Sequence, residues 1–159
     1  MIVALQQAST LGKGQTGKEI LHPLAVVVIG GLGLNPQTTR LAIETLPPEV
    51  TLSFAPYAEG LQGWIDLARA SGHEVLLETP MEPADYPAND PGPYTLIAAN
   101  RPEDTVRKLE WLMSRATGYF GLTNYLGGRF IANDGAMQVQ PTHLAFNFDA
   151  CPQLLRAGV

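Results

Sequence analysis

The sequence is poor in residues that would define several common classes of protein. It has one cysteine, Cys151, so no disulfide can form within the chain. Its 10 lysine and arginine residues are outnumbered by 15 acidic residues, which gives a formal net charge of −5. Nucleic-acid surfaces need clustered positive charge to neutralise phosphates. We therefore expect no nucleic-acid partner.

Long apolar runs are also missing. The longest one, residues 24–34, is too short to cross a bilayer, so we predict no membrane span in this chain. Residues 1–10 lack the basic region, apolar stretch and cleavage site of a signal peptide. The sequence therefore gives no direct evidence of export.

What the sequence does contain is an alternation of strand and helix patterns over residues 24–133. Continuous β-branched and aliphatic runs predict four buried strands, at residues 24–29, 50–55, 74–79 and 119–126. Three helices are predicted between them, and the first begins with Asn35 as its N-cap and Pro36 in its first turn. This order, with short connections, implies parallel strands joined by right-handed crossovers.

The predicted helices and the longest loop have distinct patterns. The first helix places Leu41, Ala42 and Leu46 on one face, which we expect to be buried. Residues 80–93 contain five prolines, which predicts a rigid, extended loop.

Both ends of the chain lack such a pattern. Residues 1–23 contain lysines among glycines and predict a flexible N-terminal arm. Residues 134–159 predict an irregular tail, with at most a short strand at 144–148 and a helical turn at 152–157.

Several blocks of sequence, in this order and at this spacing, carry a family resemblance. Residues 46–57 read LPPEVTLSFAPY, residues 72–83 read GHEVLLETPMEP, residues 90–93 read DPGP, and residues 123–130 read TNYLGGRF. Together they resemble the strand and loop signatures of the divergent polysaccharide deacetylase family.

The resemblance implies a variant (β/α) barrel with its site at the C-terminal ends of the parallel strands. It also implies a bacterial envelope setting, a periplasmic or extracytoplasmic location, and a carbohydrate polymer or oligosaccharide as the partner. The family domain continues past the fourth strand, whereas the matching pattern here stops near residue 133. We therefore expect an incomplete barrel, from a truncated or altered end, whose open sheet edge promotes self-association.

The resemblance also locates the residues that metal-dependent deacetylation would need. Equipped relatives carry an Asp pair after the first strand and histidines on the third and fourth strands. The matching positions here are Gly30, Gly31, Glu78 and Tyr125. Glycines supply neither a ligand nor a base, and a tyrosine hydroxyl is a poor zinc ligand. We therefore predict no metal site and no cofactor.

Two carboxylates remain as catalytic candidates. Glu78 ends the third predicted strand and Glu82 lies in the proline-rich loop. Four extended residues span about 13 Å, beyond the roughly 5–9.5 Å between glycosidase carboxylates, unless Pro80 bends the chain. The alternative for Glu82 is a loop anchor that accepts backbone N–H bonds.

The strand ends also offer candidates for substrate binding, namely Gly30, Gly31, Tyr57, Asn124 and Tyr125. Tyrosines at strand ends and in the adjacent loop can stack on the apolar faces of sugars. Packing within the loop explains the four tyrosines equally well, namely Tyr57, Tyr86, Tyr94 and Tyr125.

The three histidines are dispersed along the sequence as His22, His73 and His143. His73 begins its strand, at the end opposite the expected site, and strand parity points it away from Glu78. We expect a structural role for His73.

The sequence thus leaves three functional hypotheses. The leading one is a divergent polysaccharide deacetylase-like protein of envelope carbohydrate metabolism with a degraded metal site. The others are a non-catalytic glycan-binding or scaffolding module and a metal-independent carbohydrate hydrolase that uses Glu78 or Glu82.

Overall fold

A computed structural model describes residues 2–5 and 26–138 of the chain. They form five strands, β1 (Ile2–Leu5), β2 (Val26–Leu32), β3 (Thr51–Phe54), β4 (Val75–Met81) and β5 (Gly121–Leu126). They also form five helices, α1 (Pro36–Thr45), α2 (Leu61–Ala70), α3 (Pro102–Met113), α4 (Gly128–Ile131) and α5 (Asp134–Met137). His22, His143, Cys151 and the predicted elements at 144–148 and 152–157 lie outside the described residues.

The strands form one sheet in the order β1-β2-β3-β4-β5. The four strands β2 to β5 are parallel, and this α/β arrangement confirms the predicted fold class, an incomplete barrel of the deacetylase type. β1 is an addition to it, because Ile2–Leu5 pairs antiparallel to β2. The prediction of an arm was wrong for residues 2–5, whose four apolar residues form a strand; residues 6–25 lie outside the described part.

β2 continues through the glycines that were expected to follow it. Ile29 pairs with Leu52 and Leu32 pairs with Phe54, so β2 contains one more residue than β3 over this stretch. The extra residue forms a β-bulge, and Gly31 adopts a positive φ of 76° within it. The bulge lies at the C-terminal end of β2, where the sequence places the site.

β4 also runs further than predicted, through Pro80 to Met81. β3 ends at Phe54, opposite Leu77, so Pro80 has no β3 residue beside it. Proline is tolerated there because no ladder hydrogen bond to β3 is lost. Beyond this point Leu96 takes the place beside β4, donating its N–H to the Pro80 carbonyl at 2.9 Å.

The main core lies between one face of the sheet and the helices α1 and α2. Its fully buried members include Leu52, Phe54, Val75, Leu77 and Ile65.

α1 packs Ala42 and Leu46 of its predicted apolar face against this core. It buries Thr39 and Ile43, whereas Leu41 is 61% exposed, so the prediction of a buried Leu41 was wrong. The orientation follows from a polar contact: the Thr39 hydroxyl accepts a hydrogen bond from Gly33 N at 2.8 Å. Satisfying this buried pair fixes the rotation of the helix.

His73 has the structural role that the sequence suggested. It is buried, and its ring nitrogens lie 2.9 Å from the Val50 carbonyl and 3.1 Å from the Ile43 carbonyl. The side chain thereby ties α1 to the chain segment entering β3.

In the described part of the chain, one short helix extends the domain beyond residue 133. Residues 134–137 were expected to belong to an irregular tail, but they form α5, which packs on α4. Ala136 and Met137 pack against a second buried cluster that includes Met81, Leu112 and Phe130. No helix within the described ranges is long and apolar enough to cross a membrane.

Candidate functional site

The sheet face opposite the main core holds a buried carboxylate at the C-terminal ends of the strands. Directly paired residues of parallel strands share a face. Ser53 pairs with Leu76, and Glu78, two residues further along β4, pairs with Thr123. Ser53, Glu78, Thr123 and, by alternation, Tyr125 therefore lie on one face, away from Phe54 and the helices.

Glu78 is the central group of this face. It is 5% exposed, and its Oε1 accepts a hydrogen bond of 2.5 Å from Gly31 N. The bulge in β2 directs this N–H towards β4, so the backbone irregularity and the carboxylate form one unit.

Burial raises the pKa of Glu78 above its ordinary value, because the charged form loses its hydration. The hydrogen bond from Gly31 and the nearby Ser53 hydroxyl lower the pKa and offset part of this effect. Ser53 Oγ is itself buried and has no partner of regular hydrogen-bond geometry within the described part of the chain. The carboxyl group therefore combines burial, which favours its neutral form, with hydrogen bonds that favour its charged form.

Gly30 is the residue that makes room for Glu78. A Cβ atom added at Gly30 would lie 2.7 Å from Glu78 Oε1, closer than real contacts allow. Gly30 and Glu78 thus compete for one volume, and the glycine lets the carboxylate of β4 reach the end of β2.

Glu82 is not part of this group. β4 is extended as far as Met81, so the Cα atoms of Glu78 and Glu82 are about 13 Å apart. Glu82 Oε2 accepts from Ala98 N at 2.8 Å and Oε1 accepts from Arg129 Nη1 at 3.0 Å. These bonds match the loop-anchor interpretation of Glu82.

Tyr57 lies in an aromatic cluster beside the loop. Its hydroxyl accepts from Tyr94 N at 3.1 Å, its ring would contact a Cβ at Gly92 at 2.8 Å, and its centroid is 6.0 Å from that of Trp111. Burial raises the pKa of Tyr57, and the Tyr94 hydrogen bond opposes this effect. These contacts match the packing interpretation of Tyr57.

The two predicted residues of β5 face in opposite directions. Tyr125 shares the face of Glu78 and is 40% exposed, so its ring is available to a ligand. Asn124 lies on the other face, and its Nδ2 donates to the Leu126 carbonyl at 2.7 Å. This bond supports Leu126, which has a positive φ of 59°.

Comparison with known proteins identifies the family. The family model described as divergent polysaccharide deacetylase matches residues 27–145. The chain belongs to the divergent polysaccharide deacetylase family.

A solved structure supports this relationship. The crystal structure of uncharacterized protein ATU2773 from Agrobacterium tumefaciens C58 is 46% identical, with a TM-score of 0.68. The match covers 70% of this chain and 46% of that chain, so this chain spans less than half the length of the similar protein. No curated protein matches the sequence.

Membership of this family raises the question of a divalent metal. The residues on the sheet face that carries Glu78 do not fit one. Of the four residues identified on this face, Glu78 is the one carboxylate, and the other three are Ser53, Thr123 and Tyr125. Gly30 and Gly31 have no side chain that could bind a metal. Across residues 2–5 and 26–138, no three His, Cys, Asp or Glu side chains are grouped as metal ligands would be. A zinc site needs three or four such ligands.

Sequence reasoning missed Ser53, Thr123 and Arg129. The signal for Ser53 and Thr123 was strand parity with Glu78, which requires the register between strands and not the sequence alone. Arg129 lies 47 residues from Glu82, and the sequence contained no signal for their pairing.

A small cavity lies beside β4 and β5, and Thr123 is among the residues that line it. It has a volume of about 30 Å³ and is lined by Thr79, Leu109 and Phe130 among others. The buried Thr79 hydroxyl lacks a partner among the described residues. The cavity has room for one water molecule.

Proposed function

We propose that this chain is a carbohydrate-binding domain of bacterial envelope metabolism whose metal-dependent deacetylase site has been replaced by a metal-independent one. The partner is a carbohydrate polymer or oligosaccharide, and the setting is periplasmic or extracytoplasmic. Family membership supports the substrate class and the location. The residues on the sheet face that carries Glu78 support the absence of a metal from the proposed site.

One observation carries this proposal. The space that a side chain at position 30 would need is taken by Glu78, since a Cβ there would lie 2.7 Å from its carboxylate. A side chain at position 30 would therefore require the Glu78 carboxylate to move. A change from a metal-binding to a metal-free arrangement would therefore involve residue 30 of β2 and residue 78 of β4 together.

The ligand would bind along the C-terminal ends of β2, β4 and β5. Tyr125 offers a half-exposed aromatic ring for the apolar face of a sugar. Glu78 and the backbone groups of the bulge offer hydrogen bonds to sugar hydroxyl or acetamido groups.

Binding of acetylated chitooligosaccharides to the purified chain tests the proposal. We expect binding that a chelator leaves unchanged and that Tyr125→Ala weakens about two- to tenfold, as the loss of one ring-stacking contact of about 0.5–1.5 kcal/mol implies. Phe120→Ala is the matched control, because Phe120 is 58% exposed next to β5 but lies outside the site. Near-stoichiometric zinc together with acetate release would contradict the proposal.

A second candidate function is a metal-independent hydrolase with Glu78 as general acid. The raised pKa of Glu78 favours it, because an acid must hold its proton near neutral pH. Hydrolysis of a glycan that is abolished by Glu78→Gln, with binding retained, would distinguish this activity from binding alone.

A further inference from the structure

A second groove lies outside the face just described, between α3 and the loop that precedes it. It is open, has a volume of about 440 Å³, and is lined by Tyr94, Asn100, Asp104, Arg107 and Lys108. Small-molecule sites commonly occupy about 300–1,000 Å³ and combine an aromatic surface with a few polar groups. The volume of the groove falls in this range, and its lining combines one aromatic ring with four polar or charged side chains.

The aromatic wall of the groove is held in place from behind. The ring of Tyr94 stacks on Trp111 with centroids 3.4 Å apart and planes within 3°. Arg115 lies over the Trp111 ring, 5.0 Å from its centroid. Tyr94 N also donates to the Tyr57 hydroxyl, so both the ring and the backbone of Tyr94 are fixed.

The polar wall of the groove carries an excess of positive charge. Asp104 is its one carboxylate, and it pairs with Arg107 and with Arg101 at 3.2 Å. These arginines, Arg101 first, hold the pKa of Asp104 below its usual value. Arg107 remains 72% exposed, and Lys108 Nζ donates to the neutral carbonyl of Thr95 at 2.6 Å.

We propose that this groove is a binding subsite for a saccharide that carries a carboxylate, such as a hexuronic acid. Tyr94 would stack on the sugar ring, Asn100 would bond its hydroxyls, and Arg107 and Lys108 would bind its carboxylate. The chain has a net charge of −5, so most of its surface repels anions. An anionic ligand would therefore bind at the cationic groove in preference to other parts of the surface.

This inference rests on the proposed carbohydrate partner but uses a different surface. α3 follows the loop that leaves the C-terminal end of β4, so its first turns lie at the end of the sheet that carries Glu78. A polymer bound along the strand ends would thus have an acidic residue within the reach of the loop that carries Tyr94. The groove then contributes selectivity for acidic over neutral polymers.

Calorimetric titration of the full chain with tetragalacturonate, maltotetraose and sodium acetate tests the inference. We expect tetragalacturonate to bind at least about tenfold more tightly than maltotetraose, with an affinity that falls as salt is added. Arg107→Gln and Lys108→Gln should each weaken it about fivefold, as expected for one exposed charge contact. Arg40→Gln on α1 is the matched control and should leave it unchanged.

Tyr94→Ala should weaken both tetrasaccharides, since stacking does not depend on charge; thermal unfolding would verify that this variant folds. Arg107→Gln changes an exposed side chain and keeps the inference testable even if Tyr94→Ala does not fold. Equal affinity for acidic and neutral tetrasaccharides, or equal effects of Arg107→Gln and Arg40→Gln, would overturn the inference. Chitooligosaccharide binding that depends on Tyr125 would then still support the proposed function. If sodium acetate bound to the groove as strongly as tetragalacturonate, the inference of a saccharide subsite would also be overturned, because the groove would then bind the carboxylate alone.

Discussion

A side chain at position 30 would meet the carboxyl group of Glu78, so one of the two groups would have to shift. Gly30→Ala would bring a methyl group to 2.7 Å from Oε1. We expect this change to lower the free energy of unfolding by about 1–3 kcal/mol, the usual range for overpacking a buried site. Urea denaturation monitored by circular dichroism measures it.

A double-mutant cycle tests the cause. In a Glu78→Ser background the carboxylate is gone, so Gly30→Ala should have a much smaller effect. Gly31→Ala is the control, because nothing lies within 4 Å of its Cβ position and its φ of 76° is strained for alanine whatever residue is at 78. Equal effects of Gly30→Ala in the two backgrounds would contradict the shared volume.

The raised pKa of Glu78 makes a prediction about pH. Below the unfolded-state pKa, about 4.3, both states hold the proton and Glu78 does not change stability. As pH rises towards the higher folded-state pKa, the unfolded state loses its proton first, so the native state is progressively destabilised. Glu78→Gln lacks this effect, since it stays neutral and can still accept from Gly31 N.

Unfolding measured from pH 4 to pH 8 should therefore show Glu78→Gln gaining stability relative to the native sequence as pH rises. Glu59→Gln is the control at an exposed position and should give a constant difference. If the stability difference between Glu78→Gln and the native sequence is constant or shrinks as pH rises, burial does not dominate the pKa of the Glu78 carboxyl group.

At the scale of elements, the sequence predicted most of the parallel strands and the three longer helices. α1 begins where Asn35 and Pro36 placed it, because Asn35 Oδ1 accepts from Thr38 N at 3.0 Å and so caps the helix. Strand ends were less predictable. β2 continues past Gly30 and Gly31 through a bulge, and β4 continues past Pro80 because β3 has already ended there.

The loop after β4 is fixed by a contact that sequence reasoning could not supply. Arg129 of α4 donates to the buried Glu82, whose carboxylate also accepts from Ala98 N. We expect Arg129→Ala to lower the free energy of unfolding by about 1–3 kcal/mol, because a buried carboxylate loses its counter-ion. The half-exposed Arg129 keeps this effect below that of a fully buried pair.

Arg40→Ala provides the comparison for Arg129→Ala. Arg40 pairs with Glu44 on the exposed side of α1 at 3.3 Å, and such surface pairs contribute less than about 1 kcal/mol. The two variants differ in the burial of the partner carboxylate, 6% exposed for Glu82 against 55% for Glu44. Similar losses in urea denaturation would contradict the anchoring role of Glu82.

At the scale of the whole molecule, the family resemblance carried what local patterns could not. Helix and strand periodicity are the same in a doubly wound sheet and in part of a barrel, so the incomplete barrel was predicted from the blocks around residues 46–57 and 72–83. The candidate site is a different case. Glycines at positions 30 and 31 indicated a missing metal site, but only the three-dimensional structure shows that Glu78 fills the space beside Gly30.

The edge of the sheet at β5 leads to a prediction about assembly. Among the described strands, β5 pairs with β4 alone, and its six residues, Gly121–Leu126, include no charged side chain and no proline. Phe120, just before it, is 58% exposed. Edges without such features are prone to pair with another chain. We therefore expect the chain to self-associate as its concentration rises, measured by light scattering after size exclusion.

Phe120→Lys should shift this equilibrium towards the monomer, because a charge at the edge opposes strand pairing and removes exposed apolar surface. Leu41→Lys is the matched control, since Leu41 is 61% exposed on α1, on the helical side of the sheet. If both lysine variants reduce association equally, the contact depends on general surface hydrophobicity and not on the β5 edge. A native chain that stays monomeric at every concentration would show that this edge does not pair in solution.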